Sequence, residues 1–267
     1  MKLPSVDQIS ADLCHQSKFL TQGNIRSLVD QYYQIQEYRK SSANQILSLK
    51  RRGQFSEINQ FILDNLKTVE MNLKKLLDAY TNHDPTGLWC KSIKGIGPVI
   101  TAGLLSYIDI EKAPTVGHIW RYAGLDPTVK WEKGKKRPWN ARLKKICWNI
   151  GESFVKVSNR GSFYGELYKQ RKLYEQAKNE RGDYQEQAVE ILARNRYGGH
   201  TEAIKWYTEG RLPPLHIHER AKRYAVKIFL SHFHEVAYIE HYGEKPPKPY
   251  PIAILNHAHQ IEPPKPI

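Results

Sequence analysis

The sequence predicts an all-α fold, and three observations carry the prediction. From Gln54 to Tyr80, apolar residues recur at Phe55, Ile58, Phe61, Ile62, Leu66, Val69, Leu73, Leu76, Leu77 and Tyr80. That spacing of three and four puts them on one face of a long helix. Shorter helical stretches follow near 88–93, 98–108, 115–123, 138–157, 163–179, 184–197, 200–209 and 216–242. The chain carries no run of buried parallel strands and no repeat of fixed period.

A second long helix, roughly Ile25 to Leu49, precedes the first, with Leu28, Val29, Tyr32, Ile35 and Ile46 on a looser stripe. "KRRG" (50–53) supplies the turn between them. Residues 24–80 therefore read as an antiparallel helical hairpin: an arm, or a coiled-coil-like element through which the chain forms a homo-oligomer. A helix pair packed onto its own domain fits the same pattern equally well. "TNHDPTG" (81–87) has the composition of a linker. The chain thus divides into a helical arm (1–87), a central domain (88–180), a C-terminal helical extension ending in a long helix (181–242) and a Pro-rich tail (243–267). The prolines of that tail forbid continuous helix, and within it "YPIAIL" (250–255) reads as an apolar anchor.

The 267 residues carry 41 Lys and Arg against 27 Asp and Glu, a net charge of +14. A polyanion is the natural partner, either nucleic acid or an anionic membrane surface. No apolar run approaches the ~20 residues of a membrane span, so no membrane insertion is expected. The opening "MKLPSVDQIS" lacks the apolar core of a secretory signal. Cys14, Cys90 and Cys147 are scattered thiols without a CxxC pair, which points to a reducing, cytoplasmic setting and away from a zinc module. The charge is also uneven. Residues 1–88 hold 11 basic and 9 acidic side chains, residues 89–160 hold 14 and 5, and residues 161–267 hold 16 and 13. The middle segment, at +9, is more basic than a solvated surface requires.

That segment opens with "IKGIGPVITAGLLSYI" (93–108), where Gly95, Gly97 and Pro98 interrupt good helix formers. Pro98 suits the first turn of a helix, where a missing N–H is harmless. Gly95 and Gly97 permit positive φ and leave the backbone bare. The amides of Gly95, Ile96 and Gly97 then form an anion site at a helix start, with Lys94 beside them. The pattern resembles a helix-hairpin-helix: Trp89 or Cys90 and Ile93 lead, Gly95-Ile96-Gly97 makes the hairpin, and Leu104 and Leu105 close. Thr101 fills the slot where Ala is more common. A GxG-Pro turn that merely caps a helix has the same look.

A second constellation follows in "KWEKGKKRPWNARLKK" (130–145). Lys130, Lys133, Lys135, Lys136, Arg137, Arg142, Lys144 and Lys145 stand against the single acid Glu132. So many adjacent cations repel one another unless an anion neutralises them. Trp131 and Trp139 suit stacking on bases or sugars, and Asn140 and Arg142 suit hydrogen bonds to phosphate or base edges. Leu143, Ile146, Cys147, Ile150 and Phe154 bury the opposite face of that helix.

Taken in order, the GIGP bend, "YAGLDP" (122–127), the Gly/Lys loop and "NARLKK" (140–145) resemble the C-terminal helix-hairpin-helix domain of the DEDD-type insertion-sequence transposases. Those enzymes add a RuvC-like N-terminal domain and are guided by a bridging RNA. The resemblance covers about residues 88–175, and the helical arm resembles the coiled-coil connector that precedes that domain. It implies DNA binding in transposition and recombination without a cofactor. DNA is the implied partner, with structured RNA and a RuvC-like transposase as further ones. Two departures bear on catalysis. Nothing before residue 80 reads as a RuvC-like domain with its metal-binding acidic tetrad. The family's nucleophilic Ser is also missing, since Lys133 stands before Gly134 and no Ser occurs between Ser106 and Ser153. No catalytic and no metal residue is therefore assigned, and a non-catalytic DNA-binding protein is expected. The alternative is an active recombinase subunit completed in trans by a RuvC-like partner.

His216, His218, His232, His234 and His241 gather around the last helix, where they read as surface or capping residues rather than metal ligands. An HxH pair on a helix splays its rings about 200° apart. Lys222, Arg223 and Lys227 on that helix either extend a phosphate-binding surface or form a solvated face. Asp109, Glu111 and Asp126 are explained by turn and capping chemistry.

Overall fold

The computed structural model describes residues 5–194, 201–247 and 261–265, and among these residues it forms eleven α-helices and no strand. The all-α expectation stands. The proposed anchor at 250–255 and the last residues of the expected 184–197 helix lie outside the described residues.

One compact unit gathers the described residues of Met1–Ser92, Ile96–Ala113 and Glu240–Gly243. It contains α1 (Ala11–Gln16), α2 (Gln22–Arg51), α3 (Glu57–Thr81), α4 (Pro85–Ser92) and α5 (Pro98–Tyr107). A capping box between Thr21 and Asn24 starts α2. Its end is set by Gly53 at φ +69°, where Gly53 N donates to Lys50 O at 3.2 Å and Gln54 N to Leu49 O at 2.9 Å. Those paired bonds close the helix by satisfying its last carbonyls, so the turn falls where "KRRG" placed it. The helices α2 and α3 pack on each other, and α5 packs on both. Ile25, Val29, Leu77 and Leu104 are buried, and Arg26 Nε donates to Ser106 O at 2.6 Å. The base of the hairpin thus packs within its own unit, while Leu47, Ile58 and Ile62 towards its tip are exposed. The short α1 has no counterpart in the sequence reading. Six residues are too few for periodicity to show, and Ser10 caps the helix by accepting from Leu13 N.

The other unit gathers the described residues of Ile93–Gly95, Pro114–Ile239 and Glu244–Ile267. It holds α6 (Val116–Tyr122), α7 (Ala141–Val157), α8 (Phe163–Glu180), α9 (Gln185–Arg194), α10 (Glu202–Thr208) and most of α11 (Pro214–Tyr242). Its core is aromatic. Phe154 stacks on Tyr164 with ring centroids 4.9 Å apart, and both meet Phe229 edge-on, a geometry that aromatic quadrupoles favour. Leu143, Ile146, Cys147 and Ile150 bury one face of α7, as their spacing predicted. A satellite cluster of Tyr184, Ala188, Tyr207, Leu212 and Ile217 seats α9 and α10. Beside it the buried Glu175 accepts from Arg171, Arg220 and Tyr184, partners that offset the penalty of burying a carboxylate. Residues 128–138 form a loop with no strand.

Candidate nucleic-acid interface

The two glycines of the bend differ in backbone and surroundings. Gly95 has φ +103°, and a Cβ there would lie 3.1 Å from both Ser153 Oγ and Val157 Cγ2. Ser153 on α7 donates its hydroxyl to the Gly95 carbonyl. Ser162 Oγ donates to Lys94 O at 3.3 Å, and Lys94 Nζ donates to Arg160 O at 2.5 Å. Gly97 is the N-cap of α5, with φ −109° and ψ 176°. That extended conformation is open to any residue, and a Cβ at Gly97 would meet nothing within 4 Å. Positive φ therefore holds at Gly95 alone, because an N-cap residue takes β-region angles.

Pro98 occupies the first turn of α5 as expected, and no side chain caps that helix. Its first-turn amides have no partner within the helix itself. Trp89, Cys90, Ile93, Ile96 and Leu104 are buried, so the apolar positions of the motif anchor the bend. With its side chain inward, Ile96 offers a ligand its backbone only. Thr101 is fully buried and returns its hydroxyl to Gly97 O at 3.1 Å.

Downstream, α6 ends at Gly124, with φ +66°. Gly124 N donates to Arg121 O at 3.1 Å and Leu125 N to Trp120 O at 2.8 Å. Trp139 lies directly over Gly124, where a Cβ would come within 2.8 Å of the indole. Lys144 Nζ sits 4.2 Å from the Trp139 ring centroid, and its Cδ would lie 3.1 Å from the same Cβ. Asp126 accepts from Thr128 N at 2.9 Å and Thr128 Oγ1 at 2.7 Å, bonds that hold its carboxyl below the usual range. This is the turn chemistry expected of "GLDP". Asp109 likewise accepts from Glu111 N and pairs with Lys112.

Residues 130–138 are all exposed. Lys135 pairs with Glu132 at 3.1 Å, and Trp131 Nε1 donates to Lys135 O at 2.7 Å while Arg137 lies over its ring. Lys130, Lys133 and Lys136 project from the same loop. Asn140 has a role the sequence reading missed. Its side-chain oxygen accepts from Arg142 N at 2.9 Å and Leu143 N at 3.0 Å, and its Nδ2 donates to the Tyr122 hydroxyl at 2.9 Å. Its amide is committed to starting α7. Arg142, Lys144 and Lys145 are exposed on the first turns of that helix.

These observations describe a bend and a cationic loop-to-helix segment, and both fall in one family match. Residues 90–175 match the model of the transposase IS116/IS110/IS902 family. The match spans less than half of the chain, from Cys90 in α4 to Glu175 in α8. A transposase domain implies DNA binding and a role in DNA transposition. No curated protein and no solved structure matches the chain.

Two of the five histidines around α11 differ from expectation, while His241 is exposed as expected. His232 and His234 are buried, not on the surface. Tyr164 and His232 Nδ1 lie 2.7 Å apart, and His232 Nε2 lies 2.7 Å from Ile261 O. The carbonyl can only accept, so Nε2 carries the proton and the tyrosine donates to Nδ1. Glu152, His218 and Glu219 bring ligand-type atoms within 4.8 Å of one another, a cluster that no sequence spacing announced. Its centre is already served by an ammonium, since Lys222 Nζ donates to Glu152 at 2.5 Å and Glu219 at 2.6 Å. No helix among the described residues is long and apolar enough to cross a membrane.

Proposed function

We propose that the chain binds the DNA backbone as the gripping part of a transposition apparatus. The amides of Gly95, Ile96 and Gly97 and the cationic segment Lys130–Lys145 each engage phosphates of their own. The observation that supports this best is the exposed run 130–138, which projects Lys130, Lys133, Lys135, Lys136 and Arg137 into solvent with one acid among them. Such a surface lowers its self-repulsion when counterions or phosphates bind, and releases counterions when the ligand is DNA. Gly97 adds a second line of support. Neither its φ nor its surroundings require glycine, so a bare backbone there serves something that approaches from outside.

The reading makes binding largely indifferent to base sequence and steeply dependent on salt. The test is a gel-shift titration with random-sequence duplex DNA at several salt concentrations. Combined reversal of Lys135, Lys136 and Arg137 to Glu should weaken binding at least tenfold on every duplex and flatten the salt dependence. Unchanged affinity in that variant would remove the cationic segment from the interface. Competition with structured RNA ranks the second ligand class against duplex DNA.

A further inference from the structure

The cationic surface does not end with the family match, and the structure adds a wall to it from α11. Lys227 on α11 places its Nζ 4.1 Å from the centroid of Trp120, and Trp120 Nε1 donates to Lys227 O at 3.2 Å. Trp120 lies one turn before Gly124, the residue that Trp139 covers, and the Lys144 ammonium lies over the Trp139 ring. Arg223 stands one helical turn before Lys227 and is exposed. Partial desolvation, then the nearby charges of Arg137 and Arg223, hold the Lys144 ammonium below the usual lysine range. Arg223 and Arg137 thus act on the same ammonium, one from the long helix and one from the loop.

The carboxylates around this group are committed elsewhere. Asp126, the acid that acts on Lys227, takes two hydrogen bonds from Thr128. Of the acids that act on Arg223, Glu219 is held by Lys222 and Glu175 by Arg171 and Arg220. Four cations therefore converge beside two indoles, and among the described residues none of the four forms a salt bridge with a carboxylate; Asp126, Glu219 and Glu175 act on them only from a distance. In a folded chain such an arrangement is unfavourable until an anion arrives.

We infer that Arg223 and Lys227 form the second wall of a phosphodiester-binding groove whose first wall is Lys144 and Arg137. The ligand is the backbone of a nucleic-acid strand, held between the two walls. The inference rests on the DNA-binding reading above, but it assigns contacts to a helix outside the matched segment. Lys222, their neighbour in sequence, has no part in it, because its ammonium is turned inward to Glu152 and Glu219.

The test uses the full chain and a fluorescently labelled random-sequence duplex, with anisotropy read across salt concentrations. Arg223→Gln with Lys227→Met removes both charges and keeps the lysine stem over Trp120. Affinity should fall about tenfold, and the log–log salt slope should fall by about two, one per lost phosphate contact. Arg223→Lys with Lys227→Arg keeps the charges and should keep the slope. Arg223→Gln alone should lower it by about one. That exposed change serves as the readout if Lys227→Met disturbs the Trp120 packing. An unchanged slope in the Gln/Met variant, while the loop reversals still abolish binding, overturns the inference and leaves the DNA-binding reading standing. If the loop reversals also leave binding untouched, both fall.

Discussion

Ser153 donates its hydroxyl to the carbonyl of Gly95, joining the middle of α7 to the bend that precedes α5. The bond fixes the peptide at Gly95 in a conformation that only glycine adopts readily, φ +103°, with 3.1 Å of clearance for a Cβ. Gly97, two residues on, is extended and has open space around it. The two glycines should therefore respond differently to alanine. Gly95→Ala adds backbone strain and a tight contact, and should destabilise the fold by about 1–3 kcal/mol. Gly97→Ala should leave stability within about 0.5 kcal/mol yet weaken DNA binding, because its methyl would stand where a ligand approaches. Urea unfolding and gel shift on the two variants separate these effects. Loss of stability at Gly97→Ala, with binding per folded molecule unchanged, would make that glycine a structural residue only.

Asn140 works at the hinge between the cationic loop and α7. Its Oδ1 satisfies two first-turn amides, and its Nδ2 reaches the Tyr122 hydroxyl. Asn140→Ala should cost about 1 kcal/mol, the usual loss for an N-cap. Asn140→Asp keeps the cap, favours the helix dipole and loses only the Tyr122 bond, so it should be nearly neutral in stability. Denaturant midpoints of the pair decide the matter. Equal losses in both variants would show that the Tyr122 bond, not the cap, carries the stabilisation.

Lys222 is almost fully buried, with its ammonium between Glu152 and Glu219. Burial alone would push it down, but the hydrogen bonds it donates to those two carboxylates outweigh burial and raise it above the ordinary lysine range. Removing the charge leaves two carboxylates facing one another. Lys222→Met should therefore destabilise the fold by about 3 kcal/mol or more. The same change uncovers Glu152, His218 and Glu219, whose ligand atoms lie within 4.8 Å. Added zinc should then recover part of the lost stability in the variant and do nothing for the parent chain. Identical melting curves with and without zinc in Lys222→Met would reject the exchange of ammonium for metal.

Much of this architecture is legible in the sequence where one physical cue suffices. The long helices α2 and α3, the buried face of α7 and the Pro98 start of α5 follow from periodicity and from the chemistry of proline. The Asp126 turn follows from a short polar side chain that bonds its own backbone. What stayed hidden depends on residues far apart in the chain. The role of Gly95 is set by Ser153 and Val157, and the convergence of Lys144 with Arg223 depends on how α7 and α11 pack. Asn140 caps α7 rather than standing free for a ligand, and an Asn just before a helix is a cap signal that sequence alone offers. His232 and His234 are buried against expectation, because spacing shows which helix face residues share, not what covers it.

Three of those histidines give the fold a pH dependence with a definite sign. Burial, the largest cause in each case, lowers His216, His218 and His232 below the ordinary value of 6.5. In the unfolded chain the same residues take up protons near that value, so below it the unfolded state binds more protons than the folded one. Stability is then fully present above pH 6.5 and is lost as pH falls from there through the folded values. His232 should show this most clearly, since its neutral ring accepts from Tyr164 and donates to Ile261 O. Urea midpoints should hold steady above pH 6.5 and decline from there towards pH 5.5, and ring NMR shifts should keep His232 as the Nε2–H tautomer below pH 6.5. A ring that takes up its proton at or above 6.5 would mean that burial is not what governs this site.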